Sequence, residues 1–453
     1  KKGKPYFNSA LLLKKNTVVK EFHKQLLPTG DVFDEARFIE VGDVKKNYFS
    51  LKGKKFFLTI CEDIWAWPDR KSNSPYLKNP LLAVPKQKVD LVINISASPF
   101  HTEKFRLRKE VVAQTAKYFK APMVYVNMVG AQDEIIFDGT SFVVDAKGKI
   151  KFQCHSFKEE MNVFDLKELI PWSPHAPSLS GTEQLRSALV LGIRDYCKKS
   201  KISKLHFGLS GGIDSAVVAC LAVDALGPHA VHGIAMPGPY SADLSLRLAR
   251  QLSQNLGIGL TEIPISPSYE KVKKELQNSF LNREMTFTHE NLQARLRGMF
   301  LMAYSNQTQS LLLSTGNKSE YATGYTTLYG DMCGGLAPLG DLLKNEVYDL
   351  ANHYNKDSEL IPKEIINRPP TAELRPNQKD QDSLPAYDVL DESVQHLVTK
   401  SKNPRNETDQ WVLRKIYQTE FKRWQAPPIL KVSSHAFGRG RRWPLAIQIN
   451  SKD

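Results

Sequence analysis

Residues Gly208-Leu209-Ser210-Gly211-Gly212-Ile213-Asp214-Ser215 place three glycines, two serines and an aspartate within eight positions. Lys204-Leu205-His206-Phe207 ahead of them can form a short buried strand, and Ala216 to Leu221 behind them reads as the start of a helix. A strand, a Gly/Ser turn and a helix start together aim backbone N–H groups and the positive end of a helix at a phosphate. The lysine of a Gly-x-x-x-x-Gly-Lys-Ser/Thr loop is missing. Asp214 stands inside the loop instead, suited to holding Mg²⁺ against phosphate oxygens. A second candidate, Ser314-Thr315-Gly316-Asn317-Lys318-Ser319-Glu320, follows the apolar run Leu311-Leu312-Leu313. Ligands of open α/β sheets collect at strand C-terminal ends, so Glu320 is expected to approach Asp214 and complete an oxygen-rich Mg²⁺ site. A third is Cys61, directly after the strand-like Phe56-Phe57-Leu58-Thr59-Ile60. Exposed at a turn it would be a nucleophile; buried, it would be inert packing.

These residues need a scaffold, and the pattern supplies an α/β one. Asp90 to Ile95 and Met123 to Asn127 are further short apolar strands, with a helix between them from Lys104 to Tyr118 carrying Val111, Val112, Thr115 and Phe119 at helical spacing. Ser141 to Asp145 with the turn Ala146-Lys147-Gly148-Lys149 reads as a hairpin. The Pro/Ser-rich stretch 171–182 is the expected linker between domains at 1–170 and 183–453. Glu183 to Lys199 reads as a helix, a strand–helix alternation continues through Leu313, and beyond Pro362 the pattern loosens into Pro-rich and charged segments. With 453 residues, 41% of them hydrophobic and 24% charged, the chain has the make-up of a two- or three-domain globular protein. No apolar run is long enough for a bilayer, so no membrane partner is expected. Five scattered cysteines without CxxC spacing fit neither a zinc ribbon nor a disulfide framework and suit a reducing cytoplasm. The net charge of +14 is spread along the chain without an aromatic–basic recognition motif. Attraction for anionic nucleotides, together with solvated faces, accounts for it more simply than nucleic acid does, and the basic balance decides little. Lys1-Lys2-Gly3-Lys4 runs straight into apolar residues, which is expected of the interior of a domain whose N-terminal portion is missing.

The loop resembles the pyrophosphate loop of ATP pyrophosphatases. The series LSGGIDS, HENLQARLR (289–297), STGNKSE (314–320), YGD (329–331) and FKRWQAP (421–427) is similar to that of the NAD synthetases over roughly residues 183–445. That resemblance implies a Rossmann-like domain that adenylates the carboxylate of deamido-NAD⁺ with ATP and lets ammonia displace AMP. It implies ATP contacts at Gly208 through Ser215, Thr315, Lys344 and Thr371, with Lys344 stabilising charge on the departing pyrophosphate. It implies deamido-NAD⁺ contacts at Asn291, Glu320, Asp331 and Lys422, and Mg²⁺ ligands at Asp214 and Glu320.

Cys61-Glu62-Asp63-Ile64-Trp65, Asn94-Ile95-Ser96-Ala97-Ser98-Pro99-Phe100-His101 and the stretch from Lys24 to Arg37 resemble the nitrilase superfamily. This second resemblance implies an α–β–β–α glutaminase. In it Cys61 attacks the glutamine amide, Lys24 stabilises the oxyanion, and Ser98 and Lys104 hold the amino-acid end of glutamine. The family's triad glutamate would precede Lys24, where this chain supplies no segment; Glu21 and Glu35 stand outside that motif. Gly30 occupies a position where relatives carry tyrosine. The combined reading is an ATP-dependent, glutamine-hydrolysing ligase of the cytoplasm, at least a homodimer. The alternatives are another pyrophosphate-loop amidotransferase, or a nitrilase-like amidase whose nucleotide domain only senses ATP.

Overall fold

The computed structural model describes residues 3–67, 76–85, 87–166, 176, 179–280, 286–441 and 443–445. Most of the Pro/Ser-rich stretch 171–182 lies outside them. The chain divides into two compact units, Lys1–Gly130 with Ile136–Leu179, and Ala131–Ile135 with Ser180–Asp453.

The first unit opens with a hairpin of β1 (Ser9–Lys14) and β2 (Thr17–His23). Its centre is a six-stranded sheet of β3 (Tyr48–Leu51), β4 (Lys54–Ile60), β5 (Leu91–Ser96), β6 (Met123–Asn127), β7 (Phe142–Val144) and β8 (Ile150–Gln153), in the order β8-β7-β6-β5-β4-β3. The central trio β4, β5 and β6 runs parallel, and the outer strands are antiparallel. Helix α1 (Lys104–Phe119) buries Val111, Val112 and Ala116 against Phe57, Val92, Tyr125 and Phe142 of the sheet. The spacing that predicted this helix therefore marks its core face. The same helix carries a wholly buried cation. Arg108 Nη1 donates to both oxygens of Asp138 at 2.7 and 2.8 Å, and Nη2 donates to Ser98 O at 2.6 Å.

In the second unit, α2 (Gly181–Lys199) precedes β9 (Leu205–Gly208), α3 (Ile213–Leu226), β10 (Val231–Ala235), α4 (Asp243–Leu256) and β11 (Gly259–Glu262). The long α5 (Phe287–Thr308) then leads to β12 (Leu311–Leu312), and the sheet order is β11-β10-β9-β12, all parallel. Ten residues of α3 are buried, so this helix is apolar on nearly every side, as a core helix must be. Beyond it come α6 (Lys318–Thr323) and α7 (Lys344–Tyr354). The expectation of a loosened pattern past Pro362 is corrected by α8 (Tyr387–Val394) and α9 (Glu407–Gln418), which enclose a core with Tyr321, Ile429 and Phe437. Leu390, Val394, Leu397 and Val398 recur at helical spacing there, but the surrounding prolines and charges obscure them in the sequence. None of the described helices is long and apolar enough to cross a membrane.

Removing one member of a buried ion pair strands the other charge. Arg108→Ala should cost about 3–5 kcal/mol, seen as a lowered denaturant midpoint for the first unit, while an exposed control such as Lys147→Ala should change little.

Candidate active sites

In the first unit, Cys61 follows the last residue of β4 and has φ +44°, a left-handed conformation that non-glycine residues seldom adopt. The strand thus ends in a sharp turn, which leaves the thiol half-buried. Burial pushes the thiol up from its ordinary pKa, and the charge of Lys24 is the largest influence pulling it back. Beside the turn, Ser96 Oγ donates to Asn94 Oδ1 at 2.5 Å, and Asn94 Nδ2 donates to Thr59 Oγ1 at 2.9 Å across the β4–β5 pair.

Lys24 comes directly after β2 and is 1% exposed. Its Nζ lies 2.8 and 3.0 Å from the two oxygens of Glu35. Sequence motifs gave Glu35 no role; a tight pairing of Thr29–Gly30 with Phe33–Asp34 folds it back onto Lys24. Asp63, two residues past the cysteine and fully buried, accepts from Gln25 N and Leu26 N at 2.9 Å and from Ile60 N at 3.0 Å. Burial pushes its carboxyl up to about 6 despite those three donors. Ser98 is buried, with Oγ accepting from Arg108 Nε at 3.2 Å and N donating to Asn127 Oδ1 at 2.9 Å. Lys104 begins α1 with Nζ 4.0 Å from the Trp65 ring centroid.

In the second unit, the loop between β9 and α3 is tied to itself by its serines. Ser215 Oγ donates to Gly212 O at 2.9 Å and lies 3.3 Å from Ser210 N, and Gly212 N donates to Ser210 Oγ at 3.2 Å. Gly211 is required: it has φ +76°, and a Cβ there would lie 2.2 Å from Ser245 O at the start of α4. The loop borders a cavity of about 310 Å³. Of the expected ligand contacts, Gly208, Leu209, Ser210, Gly212, Ile213, Asp214, Ser215, Thr315, Glu320, Asp331, Lys344 and Thr371 line it, whereas Gly211, Asn291 and Lys422 do not.

Lys344 organises the polar end of that cavity. It is the first residue of α7 and 1% exposed, with Nζ 2.5 Å from Asp214 Oδ2 and 3.7 Å from Glu320 Oε1. Asn317 Nδ2 donates to Asp214 Oδ1 at 2.9 Å, and its Oδ1 accepts from Glu320 N at 3.0 Å. Burial and the neighbouring Asp214 charge hold the Glu320 carboxyl well above the usual carboxylate range, with Lys344 opposing them. Asp380, absent from the sequence expectations, adds a third carboxylate to the electrostatic surroundings of Lys344 and accepts from Tyr387 OH at 2.8 Å. Asp391 fixes the base of the lysine, accepting from Asn345 N at 2.8 Å and from Ser319 Oγ. Arg297, Arg368 and Glu373 also line the cavity and were not legible as site residues.

Asn291, Asp331 and Lys422 meet at one loop. Thr327 donates its hydroxyl to Asn291 Oδ1 at 2.8 Å and its N–H to Asp331 Oδ1 at 2.6 Å. Lys422 Nζ donates to Gly324 O and Thr326 O at 2.7 and 2.6 Å. Thr371 turns inward on its own loop, donating to Gln378 O at 2.6 Å.

Two family profiles match this chain, NAD synthase over residues 185–426 and carbon-nitrogen hydrolase over residues 1–171. A glutamine-dependent NAD(+) synthetase of Synechocystis sp. is 44% identical over 98% of this chain and 81% of its own length. One from Thermotoga maritima is 38% identical over 97% of this chain and 82% of its own length. Among solved structures, the glutamine-dependent NAD+ synthetase of Acinetobacter baumannii in complex with ADP has a TM-score of 0.74 at 36% identity, covering 97% of this chain and 81% of that one.

The cavity geometry makes two outcomes measurable. Gly211→Ala should lower the melting temperature, read by differential scanning calorimetry, because the added Cβ would lie 2.2 Å from Ser245 O and must displace the α4 backbone. Lys344→Met takes away the cation beside Asp214 and Glu320, so the Glu320 carboxyl should stay protonated to still higher pH. Difference infrared spectra of the carboxyl band across a pH series would show it.

Proposed function

This chain belongs to the glutamine-dependent NAD(+) synthetases, and on that premise we propose which of its residues carry each part of the reaction. The enzyme amidates deamido-NAD⁺ to NAD⁺ at the expense of ATP, using nitrogen from glutamine. In the glutaminase half, the Cys61 sulfur attacks the amide carbon of glutamine, the thiol proton passes to the departing nitrogen so that ammonia leaves, and water hydrolyses the thioester to glutamate and the free thiol. Lys24, held by Glu35, places its Nζ beside the oxyanion. Ser98 and Lys104 are the proposed contacts to the amino-acid end of glutamine; Ser98 shapes that end through Arg108, and Lys104 reaches it from the head of α1.

In the synthetase half, a carboxylate oxygen of deamido-NAD⁺ attacks the α-phosphorus of ATP and pyrophosphate departs. Ammonia then adds to the acyl carbon, loses a proton and expels AMP. The loop Gly208 to Ser215 receives the phosphates with its N–H groups and the α3 N-terminus. Lys344 lies where its cation can neutralise the departing pyrophosphate, and Thr315 and Thr371 flank the nucleotide. Asn291, Asp331 and Lys422 form the deamido-NAD⁺ side, supported by their convergence on the Gly324–Asp331 loop.

Asp214 and Glu320 fit a Mg²⁺ ion. Two carboxylates share one lysine; burial and, after it, the charge of Asp214 raise the Glu320 carboxyl, and a divalent cation would relieve that repulsion. The bound ion would supply charge neutralisation at the phosphates. The chain is expected to act as a homodimer or larger homo-oligomer, a proposal supported by exposed Met299 and Met302 on α5 and checked by light scattering.

The observation that carries the reading is the Asp214–Lys344–Glu320 cluster on the cavity below the Gly/Ser loop. Steady-state assays with ATP, Mg²⁺, deamido-NAD⁺ and either glutamine or ammonia test it. Asp214→Ala and Glu320→Ala should each lose about a hundredfold or more with both nitrogen donors; near-normal ammonia-dependent turnover would remove the assignment. Cys61→Ala should lose glutamine-dependent synthesis by about a thousandfold or more and keep the ammonia-dependent rate. Equal loss with both donors would mean that Cys61 is a packing residue.

A further inference from the structure

Lys24 and Cys61 come from separate segments, and their spacing needs something to set it. The Lys24 backbone is held on two sides, its N–H donating to Asn8 O and its carbonyl accepting from Gly42 N, both at 2.9 Å. Neither bond touches the cysteine turn. The link to that turn is Asp63. One of its oxygens takes the N–H groups of Gln25 and Leu26, the two residues after Lys24, and the other takes the N–H of Ile60, the residue before Cys61. A charged acceptor makes such bonds about twice as strong as neutral ones. The carboxylate is fully buried, so water cannot replace them.

We propose that Asp63 is a positioning residue of the glutaminase centre, clamping the segment that carries Lys24 to the turn that carries Cys61 and so fixing the distance from ammonium to sulfur. The proposal rests on the assignment of Cys61 and Lys24 above. Asp63 itself touches no substrate; it acts through Lys24. Among the described residues, other ionisable groups that bear on the Cys61 thiol include Glu62 in the same turn, Arg108 of α1, Tyr125 of β6 and Tyr76. Asp63 differs from them in that its hydrogen bonds reach both segments. Asparagine at position 63 could still accept from Gln25 and Leu26, but its amide nitrogen would meet Ile60 N–H, donor against donor. The turn would then drift away from Lys24.

The test is the rate at which iodoacetamide alkylates Cys61, followed by peptide mass across about pH 6 to 10, a range that brackets the ordinary thiol pKa. Wild type, Asp63→Asn, Lys24→Met and the double variant are compared, each with a melting curve. Lys24→Met should raise the midpoint of the alkylation profile and lower the rate at neutral pH about tenfold, the equivalent of about one pKa unit. Asp63→Asn should shift the profile in the same direction, and the double variant should go no further than Lys24→Met alone. Glutamine turnover in Asp63→Asn should fall about a hundredfold, chiefly in kcat, as expected for a misplaced reacting group. A wild-type profile in Asp63→Asn alongside a shifted one in Lys24→Met would overturn the proposal and leave the Lys24 assignment standing. Additive shifts in the double variant would overturn it too. An unshifted profile in Lys24→Met would remove the Lys24 assignment and the proposal with it. Should Asp63→Asn fail to fold, Asp63→Glu, which keeps the charge but displaces it by a methylene, reads the same quantity.

Discussion

The Lys344 ammonium among the carboxylates of Asp214 and Glu320 is the interaction on which the synthetase unit depends. A cation so buried is costly unless opposite charges and hydrogen bonds surround it. Here the partners come from distant segments: Asp214 from the first turn of α3, Glu320 from α6, and Lys344 from the start of α7. Removing the lysine would leave two buried carboxylates facing each other, so the three helix starts are bound into one constellation. The loop geometry at Gly211, the Asn317 bridge and the Asp391 support of the α7 N-terminus all serve to hold those helix starts in register.

The glutaminase unit uses the same physics with different parts. Lys24 is as buried as Lys344 and is neutralised by Glu35, while Asp63 and the Arg108–Asp138 pair lock the neighbouring backbone. Each of these buried charges is matched by an opposite charge or by several N–H or C=O groups, so none of them stands as an isolated ion. Such networks give low mobility at the reacting atoms, which is what positioning of a nucleophile or a phosphate requires. A raised carboxyl pKa, at Glu320 and Asp63 alike, marks where burial outweighs the compensating bonds.

Local chemistry was legible wherever a motif is contiguous. The Gly208–Ser215 loop, the place of Cys61 after β4 and the α1 core face could all be read directly, because each depends on residues within a few positions of one another. The helices past Pro362 could not, since prolines and charges interrupt a core face that only closes against Tyr321 and Phe437. Glu35 was passed over for a related reason: it lies eleven positions from Lys24, and a tight turn alone makes them neighbours.

By itself the sequence determined the alternation of strands and helices and the resemblance to two enzyme families, because a Gly/Ser loop, a post-strand cysteine motif and the periodicities of strand and helix are short-range properties. Which carboxylates and cations meet was decided by the tertiary structure. Asp214 lies 130 residues from Lys344, and Gln25 lies 38 from Asp63. No local pattern encodes such pairings; they come from the order of strands in each sheet and from the need to surround every buried charge.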